Sequence, residues 1–412
     1  MESIISFYSS FFLKVILIIS MASQFVMASL SSVTDYQAVF VEQFPHAVVD
    51  TTWRAYRDKI QKDGRTIDRD KNYLTTSEGQ SYSLLRAVWM DDKPIFDQVL
   101  KWTNHNLRVR KEDKLFAWLW GKDEQGRWRL LTSGGGYNTA ADADQDIALA
   151  LIFAYKRWGE DRYLLQAKII LDDIWRQEVV TVGGKPYLVA GNWAKYEVKP
   201  TINPSYFSFA AYPIFAEVDP FHPWLELKDN SYSVLTRATF AALDTPKSVG
   251  IPPDWVSINR ETGDIERATH EDKKSEFSHD AFRVFWRVAL DWHWHKDERA
   301  KKYLEGVDFF KYEWKNRKKI YGIYSHDGKN LVSYEDKSLY GSILPYFAIV
   351  DPGLGSELVR KKIALYYNPD IEDFRADIGY YPQNWLWFGL ALESGKLANL
   401  FATTTVAATS TS

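Results

Sequence analysis

Helical periodicity recurs from about residue 34 to residue 395, and the lengths of the stretches between helices constrain the fold more than any single motif. Candidate helices run near 36–62, 79–91, 94–107, 143–158, 162–178, 204–217, 222–242, 279–295, 299–312, 337–350, 354–366 and 381–392. Apolar residues at steps of three and four support them. Ile147, Leu151, Ala154 and Trp158 form one stripe, and Phe282, Trp286, Ala289 and His293 another. The connections are of two kinds. Asp92-Lys93-Pro94 and Gly159-Glu160-Asp161 can only turn one helix back along the last, whereas residues 108–142, 179–203 and 243–278 are long and irregular. Twelve helices paired in this way predict an all-α chain, a toroid of six helical hairpins or (α/α)6 barrel. The long connections at one end would then build a groove on a rigid scaffold. An open solenoid is the competing arrangement, but no repeat of about 34 or 40 residues is visible. No Pro/Gly/Ser linker divides the chain, so a single domain over 29–395 is expected.

Composition narrows the function classes. Lys and Arg number 51 against 54 Asp and Glu, a formal net charge of −3 that gives no electrostatic case for binding nucleic acid. Zero cysteines exclude disulfides and thiolate metal sites. Aromatic residues make up 16% of the chain; part of that must be core, but 17 Trp and 24 Tyr also suit a cleft that stacks flat rings such as sugars. The first 28 residues read as an export leader: Lys14 precedes Val15-Ile16-Leu17-Ile18-Ile19, and Val26-Met27-Ala28 offers a cleavage site. The apolar run is short for a membrane span. Glu2, in a region that should be positive, leaves an uncleaved anchor as the alternative. Residues 396–412, rich in Thr, Ala and Ser, read as a disordered tail.

Three acidic stretches stand at helix starts. In Ser77-Glu78-Gly79-Gln80-Ser81-Tyr82, Ser77 and Gln80 have the spacing of a capping box, with Glu78 in the first turn where the helix dipole favours a carboxylate. The same position, beside Gly79 and aromatics, would let Glu78 meet a substrate. In Ala141-Asp142-Ala143-Asp144-Gln145-Asp146, either Asp142 or Asp144 could simply cap the helix that follows. A calcium loop is excluded, because Ile147 and Phe153 stand where its glycine and glutamate are required. The third is Phe277-Ser278-His279-Asp280-Ala281-Phe282-Arg283. Ser278 could cap that helix, and Asp280 and Arg283 share one face, so Arg283 could hold Asp280 ionised. The Gly134-Gly135-Gly136 loop lacks the Lys-Ser/Thr of a phosphate loop, and no H-E-x-x-H or G-x-S-x-G occurs. His293 and His295 are two apart on a helix and diverge.

These three stretches, with Ala117-Trp118-Leu119-Trp120-Gly121 and Asn203-Pro204-Ser205-Tyr206, occur in one order that resembles glycoside hydrolase family 8. The pattern is most like the periplasmic endoglucanases that accompany bacterial cellulose synthesis. The resemblance spans about residues 34–395. It implies an (α/α)6 barrel, hydrolysis of a β-1,4-glucan with inversion, no cofactor, no metal, and a periplasmic or secreted enzyme working beside a cellulose synthase complex. It further implies Glu78 as general acid, Asp280 as general base, Asp142 gripping the sugar at the cleaved bond, and Tyr206 and Arg283 in support. One departure is Ala141, where the family pattern has Ser or Thr. The residue types suit the chemistry: inversion needs one protonated carboxyl and one ionised one, about 6.5–9.5 Å apart to admit water. Trp118, Trp120, Trp193 and Tyr137 are candidates for sugar stacking, each equally plausible as core. The same residues would serve xylan or mixed-linkage glucan. A non-catalytic glucan-binding protein is the alternative from another class, and the presence of all three carboxylates argues against it.

Overall fold

The structure is a computed structural model, and it describes residues 33–402. The expected leader over 1–28 and the end of the expected tail, 403–412, lie outside the described residues.

Thirteen α-helices lie among them: α1 Val33–Arg57, α2 Ser77–Trp89, α3 Lys93–Asn106, α4 Ala141–Trp158, α5 Asp161–Glu178, α6 Tyr212–Val218, α7 Trp224–Phe240, α8 Arg283–His295, α9 Glu298–Gly306, α10 Phe309–Arg317, α11 Lys337–Val350, α12 Pro352–Lys361 and α13 Tyr380–Glu393. Burial sorts them into two rings. Helices α2, α4, α8, α11 and α13 are buried along most of their length, whereas α3, α5, α9 and α12 bury one stripe and expose the other. An all-round apolar helix belongs inside and an amphipathic one outside. Neighbours in the inner ring are α2 with α4, α8 with α11, and α11 with α13. The turn Pro204–Tyr206, leading to α6, packs on both α4 and α8 and joins that arc. Closure is aromatic: Tyr82 of α2 meets Trp385 and Phe388 of α13 edge-on at 5.6 and 5.3 Å. Such edge-to-face pairs add directional stability beyond the area they bury. Trp387 Nε1 then donates to Val49 O at 3.0 Å, fastening α13 to the outer helix α1. The (α/α)6 barrel expected from the hairpin pattern is the fold observed.

Two expected helices are broken. The stretch 204–217 ends its first turn at Tyr206 and restarts at Tyr212, with Pro213 in the opening turn of α6. Proline has no N–H to give to a preceding turn, so it begins a helix better than it continues one. The stretch 299–312 divides at Val307, whose extended backbone follows Gly306 and whose side chain is fully buried. The long connections are not irregular throughout. They carry small antiparallel sheets: β1 Thr75–Thr76, β2 Leu119–Lys122 and β3 Trp128–Leu130; β4 Val179–Val182 with β5 Lys185–Leu188; and β6 Thr201–Ile202, β7 Val256–Ile258 and β8 Ile265–Arg267. The strands are too short to leave a readable alternation. Residues 396–402 are packed, which corrects the expected tail. Leu397 is buried, and Trp89 and Trp294 donate their indole N–H groups to Ala398 O and Leu397 O at 3.1 and 2.7 Å.

Candidate active site

The start of α2 is held from a distance. The N-cap is Thr76, whose hydroxyl accepts from Gly79 N at 3.0 Å, and Ser77 N donates to Trp118 O at 3.0 Å. Pairing of Thr75 with Trp120 and Thr76 with Leu119 fixes this end against β2. Ser77 is therefore not the cap the spacing suggested. Gln80, buried, accepts from Thr66 N at 2.7 Å and donates to Thr103 Oγ1 at 2.8 Å. Its partners lie far along the chain, which is why local spacing misread it. Gly79 must lack a side chain, since a Cβ there would stand 2.6 Å from Tyr380 Oη. Glu78 alone in this turn reaches the open, with 24% of its side chain exposed.

At the start of α4 neither aspartate caps; the N-cap is Ala140, with no side-chain bond. The two side chains diverge. Asp142 accepts from Ala143 N at 2.9 Å through Oδ1 and turns Oδ2 to Arg283. Asp144 accepts from Phe116 N at 3.0 Å and pairs with Glu178, which takes the Thr139 hydroxyl. Asp146 forms a two-pronged pair with Arg287 at 2.6 and 2.7 Å.

Asp280 lies in a turn before α8, which begins at Arg283. Ser278 caps nothing. Its N–H and hydroxyl, with Ala281 N, all go to the buried carboxylate of Asp254. On the far side of the turn, Tyr381 Oη donates to His279 O at 2.8 Å, and the His279 ring pairs with Asp336 at 3.0 Å.

Arg283 gathers the three acids. Its Nη1 donates to Glu78 Oε2 and to Asp142 Oδ2, each at 2.9 Å, and its Nη2 to Asp280 Oδ1. The guanidinium is 1% exposed, Asp142 2%, Asp280 28%. The Tyr206 ring stands 5.1 Å from its Cζ, a cation–π distance. One cation thus faces three carboxylates in a poorly solvated place. Burial pushes the Glu78 carboxyl up to about 7; Arg283 opposes this, and the charges of Asp142 and Asp280 add to it. Burial likewise raises Asp142 against the pull of Arg283. Burial and the charge of Asp280 push Asp254 up to about 7. A carboxyl that keeps its proton near neutrality can deliver it, and a carboxylate held by a guanidinium can accept one.

Glu78 and Asp280 open together into a cavity of about 600 Å³, also lined by Trp118, Lys71, Asp336 and Tyr381. Of the four aromatics singled out for stacking, only Trp118 lines it. Trp120 packs edge-on against Trp102 at 5.7 Å, and Trp193 against His270 at 5.6 Å. Tyr137 lies under Arg110, and its hydroxyl bonds Glu112 at 3.2 Å. The sequence reading missed Asp254, Tyr381 and the His279–Asp336 pair. Only the Tyr380-Tyr381-Pro382 run near a helix start offered a signal.

A family model described as "Glycosyl hydrolases family 8" matches residues 20–336. An endoglucanase of Xanthomonas axonopodis pv. citri is 37% identical over 245 residues, 58% of this chain and 60% of the relative. An endoglucanase of Escherichia coli K12 is 34% identical over 247 residues, 58% of this chain and 62% of the relative. The match therefore spans about three fifths of each relative's own length. The solved endo-1,4-D-glucanase of Vibrio fischeri ES114 superposes with a TM-score of 0.68 at 25% identity, over 82% of this chain and 93% of that one. With a family model covering well over half its length and the same barrel beneath it, the chain belongs to the glycosyl hydrolases of family 8.

Proposed function

We propose that this chain is an inverting endo-β-1,4-glucanase in which Glu78 is the general acid and Asp280 the general base. The observation that carries the reading is the single buried guanidinium of Arg283 bonded to Glu78, Asp142 and Asp280, two of which open into one cavity. Glu78, holding its proton up to about pH 7, delivers it to the glycosidic oxygen. Asp280, bonded through Oδ1 to Arg283 Nη2, draws a proton from water that attacks the anomeric carbon from the opposite face. Asp142 is buried behind them and accepts a hydroxyl of the sugar at the cleaved bond, a charge-assisted bond that tightens as the ring distorts. Tyr206 shields Arg283 on one side, and Trp118 offers a stacking face in the cavity.

The relatives named endoglucanases support a glucan substrate. Reducing-sugar release from carboxymethyl-cellulose, lichenan, xylan and chitosan tests this. The greatest release is expected from the two glucans, and release from xylan or chitosan alone would overturn the assignment. The leader-like first 28 residues support export to the periplasm or beyond, where a glucan emerging from a synthase complex would be met. N-terminal sequencing of the exported chain should begin just after Ala28.

A further inference from the structure

The chemistry proposed above requires Asp280 to stand at a fixed place, yet Asp280 sits in a turn and not on the barrel's helices. Helix α8 begins at Arg283, and its N-cap residue, Phe282, makes no side-chain cap bond. The N–H groups before it are taken by Asp254, which lies 24 and 27 positions back, just ahead of β7. One oxygen of Asp254 accepts from Ser278 N at 3.0 Å and from Ala281 N at 2.7 Å, and the other accepts from Ser278 Oγ. These bonds bracket Asp280 on both sides. Asp254 is itself fixed: its N–H donates to Glu276 O at 2.7 Å, and Trp255 N donates to Lys274 O at 3.1 Å. The strand end that carries it is therefore zipped to the segment leading into the turn. A buried carboxylate with 5% exposure, three donors and no cation among its hydrogen-bond partners is an expensive arrangement for a loop.

We propose that Asp254 is the positioning residue for Asp280: it fixes the peptide groups flanking that carboxylate and so sets where Asp280 stands opposite Glu78. This rests on the reading of Asp280 as the base. Asp254 neither lines the cavity nor touches Arg283, so it acts only through the turn. The hold is directional. It needs an acceptor that reaches two N–H groups at once, which asparagine supplies and alanine does not. The amide of asparagine can also donate to Ser278 Oγ in place of the bond it loses.

The test is steady-state kinetics of the full chain on a soluble cello-oligosaccharide, with melting temperature alongside, for Asp254→Ala, Asp254→Asn and Asp280→Asn. Asp254→Ala should lower kcat about 10–100-fold, the cost of a misplaced catalytic group. KM should stay within about twofold, because the sugar-binding groups are untouched. Asp254→Asn should recover most of the lost rate. If Asp254→Ala folds too poorly to assay, Asp254→Ser, too short to span both N–H groups, takes its place. Full kcat in the truncated variant, whatever its melting temperature, overturns the proposal. So does an equal rise in KM, or an asparagine variant as slow as the alanine one. Wild-type turnover in Asp280→Asn would instead remove the base assignment, whatever Asp254 does.

Discussion

At Glu78, burial holds the proton on and Arg283 works to remove it, with the charges of Asp142 and Asp280 siding with burial. The active form of a general acid is the protonated one, so kcat/KM should fall as pH rises through about 7, where Glu78 loses its proton. Glu78→Gln keeps the shape but has no proton to give, and activity on an unactivated glucan should drop by at least about 10²-fold with that alkaline limb gone. A pH–rate series on both proteins checks it; an unchanged limb in the variant would assign the titration elsewhere. At the next acidic stretch the divergence of Asp142 and Asp144 gives a paired comparison. If Asp142 holds a sugar hydroxyl as proposed, Asp142→Asn should cost about 10–100-fold in kcat/KM. Asp144→Asn keeps an acceptor for Phe116 N and should leave turnover near wild type. Loss at Asp144 but not Asp142 would show that the wrong carboxylate was chosen. The two aspartates were ambiguous in the sequence because both fit a cap, and each is used through a partner remote in the chain. Asp254 left no trace for the same reason.

Among the elements, helices α11 and α13 meet more closely than side chains allow. A Cβ at Gly341 would run into the carbonyl of Trp385, and one at Gly389 into the carbonyl of Gly341. Backbone cannot swing aside as a side-chain tip can, so Gly341→Ala should destabilise by about 1–3 kcal/mol, read as a lowered midpoint in urea. An unchanged midpoint would mean the helices slide apart freely. Where α4 begins and α5 ends, Asp144 and Glu178 share a buried site with Asp113, Asp142 and Lys195 near them. Burial pushes Glu178 up to about 8, above its ordinary value of 4.5. The folded state then keeps a proton that the unfolded chain has lost, so this group's contribution to stability declines as pH rises from about 4.5 to about 8. Glu178→Gln removes that decline, and its melting temperature should gain on the wild type with rising pH across this window. A difference flat in pH would contradict a raised Glu178 pKa in the folded state. Helices with long apolar stripes were legible to within a few residues. The breaks at Pro213 and Val307 were not, because apolar residues continue at helical spacing on both sides of each.

The whole molecule brings Glu78, Asp142 and Asp280 together from points up to 202 residues apart in the sequence. Each stands at or just before the start of an inner helix; closing the ring opens Glu78 and Asp280 into one cavity and leaves Asp142 buried against Arg283. The order of the motifs made the three acids legible; the guanidinium bonded to all three emerges only from the closed ring. That geometry makes one demand on the product. If Asp280 activates water instead of attacking the sugar, each cleavage is a single displacement and the configuration at the anomeric carbon inverts. Proton NMR of the first products from a soluble β-1,4-glucan, taken before mutarotation, reads this directly. The α-anomer should appear first, and initial formation of the β-anomer would contradict the assignment of Asp280 as a base.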